Sequence, residues 1–197
     1  MQVAIGFKAR IGRAAMVIVG GDPSAPVFVE RREIALLPAG DFAPYHVAAE
    51  LPEAKRHASV DCAIAAAHRL AEESLRDAMA RCRKAGHETV GCGVLVGKGM
   101  PQWTTDEILA VHVRMHVAEG ELFRNVLVAG ARACKLELAT LPDKSALESA
   151  AKSLAVKPAQ LEATLAALGK AAGPPWRKVE REAAAAALVA LGQRTQR

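Results

Sequence analysis

Thr89 to Val96 reads Thr-Val-Gly-Cys-Gly-Val-Leu-Val and carries no charged side chain. It follows a helix-like segment and ends at the Gly97-Lys98-Gly99-Met100-Pro101 turn, the pattern of a central strand covered on both faces. Gly91 and Gly93 mark places where a helix backbone can come close or the strand can bulge. A strand of this kind needs a sheet around it and helices above and below, which excludes an all-helical bundle and an all-β sandwich.

The neighbouring segments supply that sheet. Val3 to Phe7 and Ala14 to Val19 are apolar strand patterns separated by a turn at Gly12. Gly20-Gly21-Asp22-Pro23 is strong turn chemistry, and Pro26 to Leu37 then alternates as a third, more exposed strand. Short turns between the three predict an antiparallel meander with Pro26–Leu37 at an edge, where a second copy of the chain could pair to form a homo-oligomer. Ser59 is the expected N-cap and Gly86 the expected C′ residue of a long helix. Its inner face is Val60, Ile64, Ala67, Ala71, Leu75, Ala78 and Cys82. Leu136 to Leu141 is a short fifth strand. Ser145–Leu154 and Pro158–Leu168 read as short helices, Lys178–Leu191 as an alanine-rich last helix, and Arg194–Arg197 as a frayed basic tail. The expectation is a single α/β domain over residues 1–197, with a C-terminal helical elaboration over 143–191.

Between the fourth and fifth strands runs a helical pattern from Thr104 to Arg132, entered through Thr105–Glu107. At about 100° per residue, His112, His116 and Glu119 share one side with Ile108, Phe123 and Val126. Arg114, Glu121 and Asn125 point away, and Glu121 can pair with Arg124 at i, i+3 on the exposed face. Glu119 is therefore expected inside the fold, near the Gly97–Pro101 loop, within reach of His116, His112 or Lys8. His112 and His116, one turn apart, can bind a metal with Glu119 as third ligand or as an orienting acceptor. They can also form a metal-free acid–base pocket, or His112 can cap a sheet edge while His116 and Glu119 satisfy each other at the rim of the core. His46 and His57 read as surface residues flanking the long helix.

The basic candidates lie at the sheet ends. Lys8 stands in an apolar strand, so it either reaches solvent at the first hairpin beside Arg10 and Arg13 or faces Glu119 in a pocket. Lys98 sits in the loop beyond the fourth strand, at the end where open α/β sheets place ligands. Trp103 is a candidate ligand contact or a staple for the helix that follows. Trp176, after Pro174-Pro175, reads as an anchor onto the core.

Composition narrows the class. The chain has 197 residues, 51% hydrophobic but only 4% aromatic, and a net charge of +5. Such alanine-rich small-residue packing reads as bacterial. The charge permits contact with a polyanion, and equally fits scattered solubilising groups. Cys62, Cys82, Cys92 and Cys134 form no C-x-x-C pair, which argues against zinc clusters and thioredoxin-like chemistry. No apolar run reaches the roughly 18 residues of a membrane span. A reduced, cytoplasmic setting is the expectation.

Three antiparallel strands, then helix, strand, helix, strand and helices resembles the ribonuclease H-like fold over roughly residues 3–191. That fold is shared by ribonuclease H, RuvC-type junction resolvases and actin-like ATPases. The Ala118-Glu-Gly-Glu-Leu-Phe-Arg124 string and the Pro-Pro-Trp stretch also resemble a set of bacterial proteins, which implies no activity. The resemblance implies a five-stranded mixed sheet whose first three strands are antiparallel, strand one central beside strand four, and helices on both faces. Its nuclease members use clustered carboxylates to hold divalent metal, beginning with an aspartate on the first strand. Here Val3 to Ala9 carries only Lys8 as a charged group, and the fourth strand has no acid. Glu72, Glu73 and Glu180 lie on helices that could approach, but helical carboxylates alone do not build a two-metal cluster. Nor does Gly6–Gly12 match a phosphate-binding G-x-x-x-x-G-K-[ST]. Two readings follow. One is a catalytically degenerate ribonuclease H-like binding protein whose partner is a nucleic acid or a protein, contacted through Lys8, Arg10, Arg13, Lys98, Trp103 and Arg124. The other is a metal-dependent or acid–base hydrolase using His112, His116 and Glu119.

Overall fold

The computed structural model describes residues 1–195, with side chains described through Gln193. Gln196, Arg197 and the side chains of Arg194 and Thr195, most of the expected basic tail, lie outside the described residues. In chain order the elements are β1 (Gln2–Arg10), β2 (Arg13–Asp22), β3 (Ala25–Ala35), α1 (Pro44–Ala49), α2 (Glu53–Lys84) and β4 (Glu88–Val96). There follow α3 (Thr105–Leu109), α4 (His112–Ala133), β5 (Glu137–Pro142), α5 (Ala146–Ser153), α6 (Pro158–Ala172) and α7 (Lys178–Thr195). One five-stranded sheet runs in the order β3-β2-β1-β4-β5. β1, β2 and β3 are antiparallel, while β4 runs parallel to β1 and β5 parallel to β4.

Strand alternation decides what each face meets. Val3, Ile5 and Phe7 join one core with Ala67, Leu75, Phe123 and Leu127, so α2 and α4 cover that face. Ala4, Gly6 and Lys8 turn the other way, toward α7. β4 repeats the scheme, with Cys92 and Val94 facing α2 and α4 and Gly91 and Gly93 facing α7.

The glycines explain how α7 fits. Every residue from Ala183 to Leu191 is buried, because the sheet lies on one side and α5 and α6 on the other. A helix buried all round needs small, apolar residues all round, which the Ala183–Ala187 run provides. Its backbone comes so close that a Cβ on Gly6 would overlap the Ala183 carbonyl oxygen, and one on Gly93 the Ala186 carbonyl. α7, read from sequence as part of a C-terminal elaboration, is thus the main cover of one sheet face.

Two sequence expectations need correction. The long helix begins at Glu53 rather than after Ser59, with Pro52 preceding it. Its first turns are solvent-facing Glu, Lys, Arg and His residues with no apolar stripe to reveal them. The Thr104–Arg132 helix is two helices. Thr104 caps α3 through a reciprocal box with Glu107 (3.2 and 2.8 Å), and Val111 adopts an extended φ of −138°, ψ of 114° before α4 starts at His112. Ile108 and Met115 remain in one small apolar cluster across the break, so the hydrophobic period continues although the helix does not. Among the described residues no helix is long and apolar enough to cross a membrane.

Candidate functional site

β1, β4 and β5 run parallel, so Arg10, Val96 and Pro142 end at one edge of the sheet. A cavity of about 500 Å³ opens there, lined by Lys98, His116, Glu121, Arg124 and Asp143 among others. It lies between the loop after β4, the start of α5's approach at Asp143, and the outer side of α4. The C-terminal edge of parallel strands is where loops, not strand bonds, fill the space, and so where a ligand finds room.

One wall of the cavity is an ionic cluster. Lys8 reaches past the end of the α7 cover and donates a short hydrogen bond to Asp143. Its ammonium is also 3.3 Å from Glu182 Oε2, an ion pair too far off line for a hydrogen bond. Arg124 donates to Asp143 (2.9 Å) and to Glu121 (3.3 Å), and Lys178 stands 3.6 Å from Glu182. Burial works against the charge on Asp143, yet hydrogen bonds and charge from Lys8 and then Arg124 hold its carboxyl below the ordinary carboxylate range. Lys8 therefore neither ends in a solvated turn nor faces Glu119. Strand alternation sends it to the α7 side of the sheet, whereas Glu119 lies beneath α1. Glu121, expected to point away, is buried under the Gly97 backbone, and its pair with Arg124 lies in the cavity wall.

The second cluster is histidine. His116 Nε2 lies 3.0 Å from His112 Nε2, and both rings are exposed at the start of α4. His46, expected at the surface, is half-buried and completes the group, its ring centroid 4.9 Å from that of His112 and 4.6 Å from that of His116. Glu119 is fully buried. Its Oε1 accepts from His46 Nδ1 (2.8 Å) and from the backbone N–H groups of Tyr45 (3.2 Å) and His46 (3.3 Å). Those two N–H groups are unsatisfied donors in the first turn of α1, which Pro44 opens, so the carboxylate both caps α1 and ties it to α4. The partner of Glu119 is thus His46, not His112, His116 or Lys8.

The remaining candidates separate. Arg10 and Arg13 both lie within 4 Å of Glu33 (3.8 and 3.5 Å) on the half-exposed side of the hairpin. Trp103 packs against the small cluster of Tyr45, Ile108 and Met115, with the Arg114 guanidinium 5.1 Å over its ring. Lys98 is exposed at the cavity mouth. Glu72 and Glu73 pair with Arg76 and Arg69 on the outer side of α2, and Glu180 with Arg177, so none joins the ionic cluster. Trp176 meets Phe28 edge-on at 6.4 Å. Cys92 is buried and its thiol is pushed far up by desolvation, which suits an inert core residue. Sequence reasoning missed His46, Asp143 and Glu182. Asp143 had a usable signal, since it directly follows the fifth strand at its ligand-facing end. His46 had none, being 73 residues from Glu119.

No protein-family model matches the chain, and no curated protein matches it. Among solved structures it is similar to Thermus thermophilus RuvC, with a TM-score of 0.52 and 12% identity over 98% of this chain and 96% of that one. It is also similar to T. thermophilus RuvC in complex with a Holliday junction substrate, with a TM-score of 0.56 and 11% identity over 100% of this chain and 96% of that one. Identity this low speaks to the fold and not to the chemistry. With a central β1 flanked by antiparallel β2 and parallel β4, and helices on both faces, this chain has the ribonuclease H-like fold.

Proposed function

We propose that this protein binds nucleic acid at the C-terminal edge of its sheet and does not cut it. One observation carries the reading: the carboxylates gathered at that edge already hold a cation of the chain's own, the Lys8 ammonium between Asp143 and Glu182. A divalent ion entering there would have to displace a covalently tethered charge from a half-desolvated site and leave that charge unpaired, which is costly. The two-metal chemistry of nucleases with this fold has no room to assemble. What the edge offers outward is positive. Lys98 and Lys144 are exposed at the cavity and have no ion-pair partner among the described residues, and Arg10 and Arg13 lie on the same edge. Cations so placed attract a phosphate backbone and release its counterions. That RuvC has been seen with a Holliday junction substrate supports nucleic acid over other polyanions.

Fluorescence anisotropy with labelled single-stranded RNA and duplex DNA tests this. At about 50 mM salt the wild type should bind, and affinity should fall steeply toward 200 mM. Reversing both charges, Lys98→Glu with Lys144→Glu, should weaken binding about tenfold or more and lower the log–log salt slope by about two, one for each lost phosphate contact. Wild-type protein that ignores both nucleic acids at the lower salt sinks the reading. So does a double variant that binds like wild type.

A further inference from the structure

We propose that His46, His112 and His116 form a binding site for a divalent transition metal of the zinc type, with Glu119 as the carboxylate that orients His46. This site is separate from the ionic cluster and does not rest on the nucleic-acid reading.

The nitrogens are already assembled. One ligand atom from each ring can be chosen so that all lie within 4.8 Å of one another, and the two α4 nitrogens are 3.0 Å apart. Two nitrogens on a tetrahedral zinc, at bonds of about 2.0–2.1 Å, stand about 3.3 Å apart. The α4 pair is already near that separation, and the exposed His112 and His116 rings are free to turn toward His46, whose ligand atom is within 4.8 Å of theirs. The i, i+4 spacing at the start of α4 supplies two ligands from one rigid element, and α1 supplies the third.

Glu119 orients His46. Its buried Oε1 lies 2.8 Å from His46 Nδ1, the geometry of a ring N–H donating to a carboxylate. With Nδ1 engaged by Glu119, Nε2 is the ring nitrogen left for an ion, in a ring that lies against those of His112 and His116. That atom is buried and has no hydrogen-bond partner among the described residues, an arrangement that costs free energy in a ring used only for packing. Metal-binding histidines have this same design, one ring nitrogen on the ion and the other donating to a carboxylate. Because the same oxygen also accepts the Tyr45 and His46 backbone N–H groups, Glu119 fixes the position of the ring along with its tautomer.

Three neutral imidazoles suit zinc, cobalt, nickel or copper, and not magnesium or calcium, which take oxygen ligands. Three protein ligands leave a coordination position for water or an anionic group. His116 lines the same cavity as Lys98 and Arg124, so such a group would meet cations across from the metal.

The test is a titration of the full chain, stripped by EDTA and dialysed, with Co(II) and then Zn(II). Expected is one equivalent of Co(II) with the intense visible absorption of a four-coordinate ion, bleached by Zn(II), and a zinc-dependent rise in melting temperature. His112→Ala and His116→Ala remove exposed side chains, so each should keep its far-UV circular dichroism while losing affinity by more than about 100-fold, beyond the effect of an orienting residue. Glu119→Gln keeps all three ligands and should weaken binding by about 10–100-fold. A wild type without the cobalt spectrum would overturn the proposal, as would both histidine variants binding metal as tightly as wild type. No nucleic acid enters the experiment, so its failure leaves the preceding reading standing.

Discussion

Gly93→Ala should abolish cooperative folding, or lower stability by about 4 kcal/mol or more, a size that marks a specific structural fault. The reason lies in how α7 covers the sheet. An added methyl at Gly93 meets no flexible side chain that could swing aside. It meets the carbonyl, Cα and backbone of Ala186, in the middle of a helix buried on every side. Relief requires the whole of α7 to lift, which separates it from β1 and β4 together and opens one core. Gly6→Ala should behave alike, since its methyl would overlap the Ala183 carbonyl and crowd Ala187. Gly91 provides the internal comparison. There the nearest atom to a new Cβ is the Ala190 oxygen at 3.2 Å, so Gly91→Ala should cost only about 1 kcal/mol, at the lower end of overpacking. Urea denaturation of the three variants checks the order. Equal, small losses at all three would mean that α7 does not dock through its backbone.

Lys8→Met should destabilise the protein by about 2 kcal/mol at neutral pH, because it removes the cation that Asp143 and the nearly buried Glu182 share and leaves them only Arg124 and the exposed Lys178. Methionine retains the side-chain volume, so the loss reports charge rather than packing. The pH dependence follows from the folded-state carboxyl of Asp143, which lies below its ordinary value of 3.8 because Lys8 and Arg124 outweigh burial. A depressed carboxyl contributes its stabilisation fully above the ordinary value and loses it as pH falls through the lower, folded one. The gap between wild type and Lys8→Met should therefore be widest near neutrality and close below about pH 4, as the Asp143 carboxyl takes up its proton. Thermal melts across that range measure it. A gap that stays constant with pH would mean that Lys8 matters only for packing.

How far the sequence reveals this molecule depends on the range of the interaction. The strands were legible because alternation and turn chemistry are local, and Thr89–Val96 announced its own two-sided cover. Glu119 could be placed inside because Phe123, four residues on, shares its face and is buried. Its partner could not, since nothing near His46 in the chain points to α4. The break at Val111 was hidden for a related reason: Ile108 and Met115 pack into one cluster, so the apolar period runs through a residue whose backbone is extended. Lys8 was visible as an oddity in an apolar strand. Its resolution needed the order of the sheet, which alone says that residues facing the same way as Gly6 meet α7 and hence Glu182. Asp143 and Glu182, 39 positions apart in this numbering, belong together only because β5 ends and α7 begins at one edge.

The proposed function has two halves, nucleic acid bound at the carboxylate edge and no cleavage there, where the Lys8 ammonium sits between Asp143 and Glu182. A labelled four-way DNA junction incubated with the protein and Mg²⁺ or Mn²⁺ measures both halves at once. The expected result is a retarded, salt-sensitive complex whose strands run at full length on a denaturing gel after prolonged incubation. Metal-dependent strand scission that disappears in Asp143→Asn, or the absence of any complex at low salt, would contradict it.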